Sequence, residues 1–136
     1  MPLSRLLLAI WVFGMLGVAA ELVLLEHYED VKQLIPFAVI AIGTAVGAWM
    51  AIRPGPRPER AFRATLMLLL LSGLLGTVFH YWGNLEFEKE RDPSLSGLPL
   101  VWEVLTGATP ALAPGTMILF AFIGYAALKA RREPRL

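Results

Sequence analysis

Ala64–Leu85 reads ATLMLLLLSGLLGTVFHYWGNL, 22 residues without an Asp, Glu, Lys or Arg. About 20 such residues carry one helix across the hydrocarbon core of a bilayer, so this stretch predicts a membrane-spanning helix. Its polar groups gather at the C-terminal end, where His80 and Asn84 stand one helical turn apart. Gly73 and Gly76 lie further back and leave room for a neighbouring helix to approach.

Three more apolar runs flank it. Together the four cover about 6–25, 34–52, 64–85 and 112–129, and they predict an all-α, four-transmembrane-helix bundle, one integral membrane domain over 1–136. The start MPLSR, the apolar run behind it and Val18-Ala19-Ala20 also fit a secretory signal cleaved before Glu21. Retention is the better reading, because LVLL resumes after Glu21 and completes a span of about 20 residues. In the second span Gly43 and Gly47 form a small-xxx-small pair. RPGPRPERAFR (53–63) holds four arginines and three prolines and reads as a loop. LPLVWEVL (98–105) predicts a short interfacial helix between spans three and four, anchored by Trp102. Pro110 and Pro114 interrupt the uncharged run behind it, so the last helix is expected to start near Pro114, with 108–113 as irregular backbone.

Charge sets the expected orientation. Arg5, the arginines of 53–63, and Lys129, Arg131, Arg132 and Arg135 mark one side, whereas the two opposite connections are acidic. Basic loops stay in the cytoplasm, which predicts both termini inside and the acidic loops outside, in a bacterial inner membrane. The mean hydropathy of +0.62 and the 57% hydrophobic content lie outside the range of ordinary soluble chains. With no cysteine, disulfides, thiolate zinc sites and Fe–S clusters are excluded. There is no phosphate-binding loop, hydrolase elbow or HExxH motif, and no basic–aromatic surface for nucleic acid.

A shift of 59 residues lays Gly14-Met-Leu-Gly17 over Gly73-Leu-Leu-Gly76 and Glu21 over His80. This suggests two similar helical hairpins. On a 3.6-residue period Gly14, Gly17 and Glu21 share a face, as do Gly73, Gly76 and His80. If those glycine faces meet, Glu21 and His80 meet too, with Glu26, His27 and Asp30 at the mouth above them and Tyr81 and Glu86 near the rim.

Several functions compete for this polar site. An ionisable group within a span costs roughly 2.5–3.5 kcal/mol, so it usually faces the bundle and has a partner; the plainest reading is a Glu21–His80 packing pair. The site could equally bind a cation, either a proton carried by Glu21 or a divalent metal such as zinc, iron or manganese. Glu21, His27, His80 and Asn84 are the candidate metal ligands. Glu21 and His27, like His80 and Glu86, are six residues apart, which turns them about 120° from each other, so a single helix would not supply both to one ion. A b-type haem between His27 and His80 is a further, weaker option. A proton-coupled transporter of four spans would be expected to form a homo-oligomer. The alternative is a non-catalytic accessory or structural subunit docking a larger membrane complex through 86–113, with Trp102, Pro110 and Pro114 on the docking surface. No nucleophile, base and orienting group assemble into an enzyme site.

The run HYWGNLEFEKERDPSLSGLPLVWEVLTGATPALAPGTM (80–117) resembles segments of small, uncharacterised four-span bacterial inner-membrane proteins. The resemblance covers about a quarter of the chain. It implies a bacterial inner-membrane origin and brings no activity and no site residue with it.

Overall fold

A computed structural model describes residues 1–107 and 109–132, and all secondary structure among them is helical. The elements are α1 (Leu3–Leu24), a single 3-10 turn (Val31–Gln33), α2 (Leu34–Ile52), α3 (Pro56–Arg91), α4 (Gly97–Thr106) and α5 (Gly115–Arg132). Three segments are long and apolar enough to cross a membrane: α1, Val31–Ile52 and α3. α5 is shorter, 18 residues with Lys129, Arg131 and Arg132 in its last turn. Arg135 and Ala108 lie outside the described residues.

The third helix is longer than its apolar run. The connection expected over 53–63 shrinks to Arg53–Gly55, because Pro56 and Pro58 fall in the first turn of α3, where a missing N–H costs no hydrogen bond. At the other end EFEKER continues the helix to Arg91. These residues are good helix formers, and Glu88 and Arg91 pair at i, i+3. At 1.5 Å per residue such a helix runs about 54 Å, well beyond a hydrocarbon core of about 30 Å. Its last turns, EFEKER, lie beyond its apolar run, and α4 packs against this end of the helix.

α1, α2, α3 and α5 form a ring in which α1 touches α2 and α5, and α3 touches α2 and α5. α1 and α3 stand diagonally, with no Cα atoms within 8 Å of each other. The expected approach of spans one and three through their glycines therefore does not occur. Both glycine faces receive α5 instead: Phe120 fills the space over Gly14, while Ile118 and Pro114 lie over Gly73 and Gly76. Aromatic and branched side chains on α5 fit both surfaces, so it wedges between the two helices.

The ring closes around Trp11, which is fully buried. Its indole lies across Gly43 and Gly47 of α2 and against Gly124 of α5, meets Phe62 edge-on at 4.9 Å, and donates Nε1–H to the Phe120 carbonyl at 2.8 Å. Met15, Met50, Leu66 and Leu69 complete this core. The outside of the ring is as apolar as the inside. Phe13, Leu24 and Ile52 are each more than 75% exposed, an arrangement compatible with lipid and costly in water.

Two glycine substitutions test the packing. Gly73→Ala places a Cβ 2.9 Å from the Pro114 carbonyl and 3.1 Å from the Ile118 amide, backbone atoms that move only with α5. A loss of about 1–3 kcal/mol is expected in reversible unfolding. Gly17, with nothing within 4 Å, should accept alanine with a gain of up to about 1 kcal/mol.

Candidate functional site

The polar residues of α3 fall on one stripe. His80, Asn84 and Glu88 are four apart, so they stack along a single face, and that face meets α4 and the connection behind it. The stripe fastens the chain between α4 and α5 onto α3.

Asn84 is the main fastener. It is 2% exposed and uses its whole hydrogen-bonding capacity. The side-chain NH₂ donates to the carbonyls of Val104 (2.8 Å) and Thr109 (2.6 Å). Its Oδ1 accepts from the Thr109 amide (3.2 Å) and hydroxyl (2.7 Å). Gly107 permits this approach, since a Cβ there would sit 3.0 Å from the Glu103 carbonyl and 3.1 Å from Asn84 Cγ. One turn on, the buried Glu88 carboxylate lies 2.6 Å from Arg91 Nη2, which is also 3.5 Å from Glu103 on α4. The Arg91 contact lies off the hydrogen-bonding direction, and Glu88 Oε2 has no other donor; the pair is held by charge.

One turn before Asn84, His80 faces the carbonyl of Pro110, 3.1 Å from its Nδ1. A carbonyl only accepts, so Nδ1 carries the proton and the neutral ring keeps its lone pair on Nε2. The second imidazole comes from the other hairpin: the rings of His27 and His80 are 6.0 Å apart, centroid to centroid, and inclined at 44°. His27 is delivered by the way α1 stops. The His27 amide bonds back to Leu22 O and the Glu26 amide to Val23 O, with Glu26 left-handed at φ 53°. This is the Schellman pairing that normally uses glycine, and it turns the chain sharply enough to bring His27 beside α3. The loop is then locked by Asp30, whose carboxylate accepts from the Lys32 amide, and by Gln33 Oε1, which accepts from the amides of Glu29 and Asp30. Lys32 Nζ sits 5.6 Å over the Phe79 ring, a second link from this loop to α3.

The expected site residues thus separate. His27 and His80 come together. Asn84 is adjacent in sequence register but has no free lone pair for an ion. Glu21 is exposed on α1, on a helix with no Cα atom within 8 Å of α3. Asp30 serves as a helix cap, Glu26 forms the left-handed turn, Tyr81 packs edge-on against Trp82, and Glu86 is exposed. Among the described residues no three His, Asp or Glu side chains lie close enough together to hold a metal. Pro110 offers its carbonyl to His80, and Pro114 is packed on Gly76 within the chain. Trp102 is 66% exposed, alongside Leu98, Val101 and Leu105 on one face of α4.

The chain matches no protein family, no curated protein and no solved structure. Its chemistry must be read from its own residues. Those missed at first are Glu88, Arg91, Gly107 and Thr109; the i, i+4 stripe His80-Asn84-Glu88 was the available signal for the first of them.

Burial of the His27 ring, reinforced by the charge His80 carries when protonated, lowers the His27 pKa below the ordinary imidazole value. The folded loop therefore prefers neutral His27. The stability linked to this preference is fully present above the ordinary imidazole pKa and is lost as pH falls through the lowered folded value. NMR titration should give His27 a midpoint below that of a free imidazole, and His80→Gln should raise it. In hydrogen exchange, Asn84→Ala should speed exchange of the Thr109 amide by roughly 5- to 150-fold, matching about 1–3 kcal/mol for partners left unpaired.

Proposed function

We propose that this is a small inner-membrane protein of four spans, with α5 and the uncharged chain before it as the fourth and both termini in the cytoplasm. On its outer side the His27–His80 pair binds a cation. The observation that carries the reading is the separation of the two rings. Imidazole nitrogens bind zinc at about 2.0–2.1 Å, so two rings sharing one ion have centroids about 5–6.5 Å apart. The observed 6.0 Å lies within that interval. Two further features support it: His80 is oriented by a backbone carbonyl through its other nitrogen, the usual support of a metal-bound histidine, and His27 is biased toward the neutral form that ligation requires. Two imidazoles leave coordination positions for water or an external ligand and suit zinc, copper or nickel among divalent ions.

A second reading is favoured by α4. Leu98, Val101, Trp102 and Leu105 recur at i, i+3, i+4 and i+7 and are all exposed, which suits an interfacial helix or the docking face of an accessory subunit.

Elemental analysis of detergent-purified protein, alongside His27→Ala/His80→Ala, separates the two. Near-stoichiometric metal in the native chain that disappears in the double variant, but persists in Trp102→Ala, is expected for a cation site. Native protein that takes up no added zinc, copper or nickel in titration calorimetry removes the metal reading.

A further inference from the structure

The end of the bundle opposite the histidine pair carries a dense positive rim. Arg5 lies in the first turn of α1, Arg53 caps α2, Arg57, Arg60 and Arg63 open α3, and Lys129, Arg131 and Arg132 close α5. The one carboxylate among the described residues of these segments is Glu59, and it is engaged twice, accepting from Arg63 and from Arg132. That double ion pair ties α3 to α5 and, among the described residues, leaves the remaining arginines without an acidic partner. Arg53, Arg57 and Arg60 are exposed and form no ion pair among the described residues. Arg60 Nε rests against the Pro56 carbonyl at 3.4 Å. The N-terminus of α3 has no side-chain cap, so its partial positive charge adds to theirs.

The surface beside these arginines is apolar. Trp49 is 42% exposed and Ile52 77%; on α2 they lie four residues and one residue before Arg53. A free inorganic anion would gain nothing from that surface, whereas a phospholipid has acyl chains to lay on it and a phosphate to present above it. Arginine is the side chain best matched to such a phosphate. We propose that Arg53, Arg57 and Arg60, with Trp49 and Ile52 beside them, form a docking surface for anionic phospholipid, the headgroup phosphate on the arginines and the chains against the tryptophan. The inference rests on the membrane reading above.

Native mass spectrometry of the full chain in detergent, titrated with phosphatidylglycerol or phosphatidylcholine, tests it. Wild type should prefer phosphatidylglycerol. A basic residue near an anionic surface contributes about fivefold in affinity, so Arg53→Gln/Arg57→Gln/Arg60→Gln should weaken phosphatidylglycerol binding on the order of a hundredfold and leave phosphatidylcholine binding unchanged. Arg63→Gln, which removes an arginine already engaged by Glu59, should change it less than twofold. The triple lysine variant should keep most of the preference and thereby exclude misfolding as the cause. Equal binding of the two lipids by wild type, or a glutamine triple variant that binds as wild type does, overturns the lipid site alone. A wild-type chain that stays in solution without detergent and enters vesicles of neither lipid overturns the membrane reading with it.

Discussion

Trp11 needs a slot with three glycine walls, and the ring of helices is arranged to provide it. At the helix spacing seen here the indole leaves no room for Cβ atoms at the positions that face it. Gly43 and Gly47 clear one side of it and Gly124 another, and at Gly47 an added Cβ would come within 2.7 Å of the ring. The indole N–H cannot be left unpaired in an apolar core, where an unsatisfied donor costs about 1–3 kcal/mol. It is satisfied by the Phe120 carbonyl, on the helix that also supplies Gly124. One side chain thus fixes α1 against α2 and α5 at a single depth and rotation. In a chain whose outer surface is as apolar as its interior, burial alone would specify neither.

This explains which parts of the fold were legible in the sequence. Apolar length and the placement of Arg and Lys are local properties, so the long helices could be read directly, as could the amphipathic α4 and the start of α5 just past Pro114. The order of the helices around the ring could not. Gly14, Gly73 and Gly76 each announce that something approaches closely without saying what. The internal similarity of the two glycine pairs favoured mutual contact, whereas Phe120 and Ile118 of α5, with Pro114 just before it, fill both surfaces. The 53–63 segment misled for a related reason: three prolines suggest a loop, yet those within the first turn of a helix break nothing.

The polar site was half legible. His80 and Asn84 stood out as the polar residues ending an uncharged run, and both proved to hold the α4–α5 connection. Their roles differ because of what that connection offers. Asn84 meets two carbonyls and a threonine with both its amide and its hydroxyl, a set only a carboxamide satisfies in full. His80 meets one carbonyl and keeps one nitrogen free. The arrival of His27 was illegible because it depends on Glu26 taking a left-handed conformation that sequence patterns assign to glycine or asparagine. Without that turn the two imidazoles would stand at different depths.

The two ends of the bundle solve the same problem with different chemistry. At the basic end Glu59 gathers Arg63 and Arg132, so α3 and α5 are joined by an ion pair. At the acidic end α3 is joined to the α1–α2 connection through Lys32 over Phe79 and through two imidazoles that share no hydrogen bond. Burial and the charge of a protonated His80 both lower the His27 pKa, so the two rings are coupled through charge across this junction. The second junction therefore holds a group, His27, whose protonation is tied to the fold, and the first is a plain ion pair. A ligand on the pair would draw the α1–α2 connection toward α3 and, through the Pro110 carbonyl that orients His80, toward the segment leading into α5. If the proposed cation binds there, the histidine end is where binding would change how the hairpins are held, while Trp11 and Glu59 keep the rest of the ring in place.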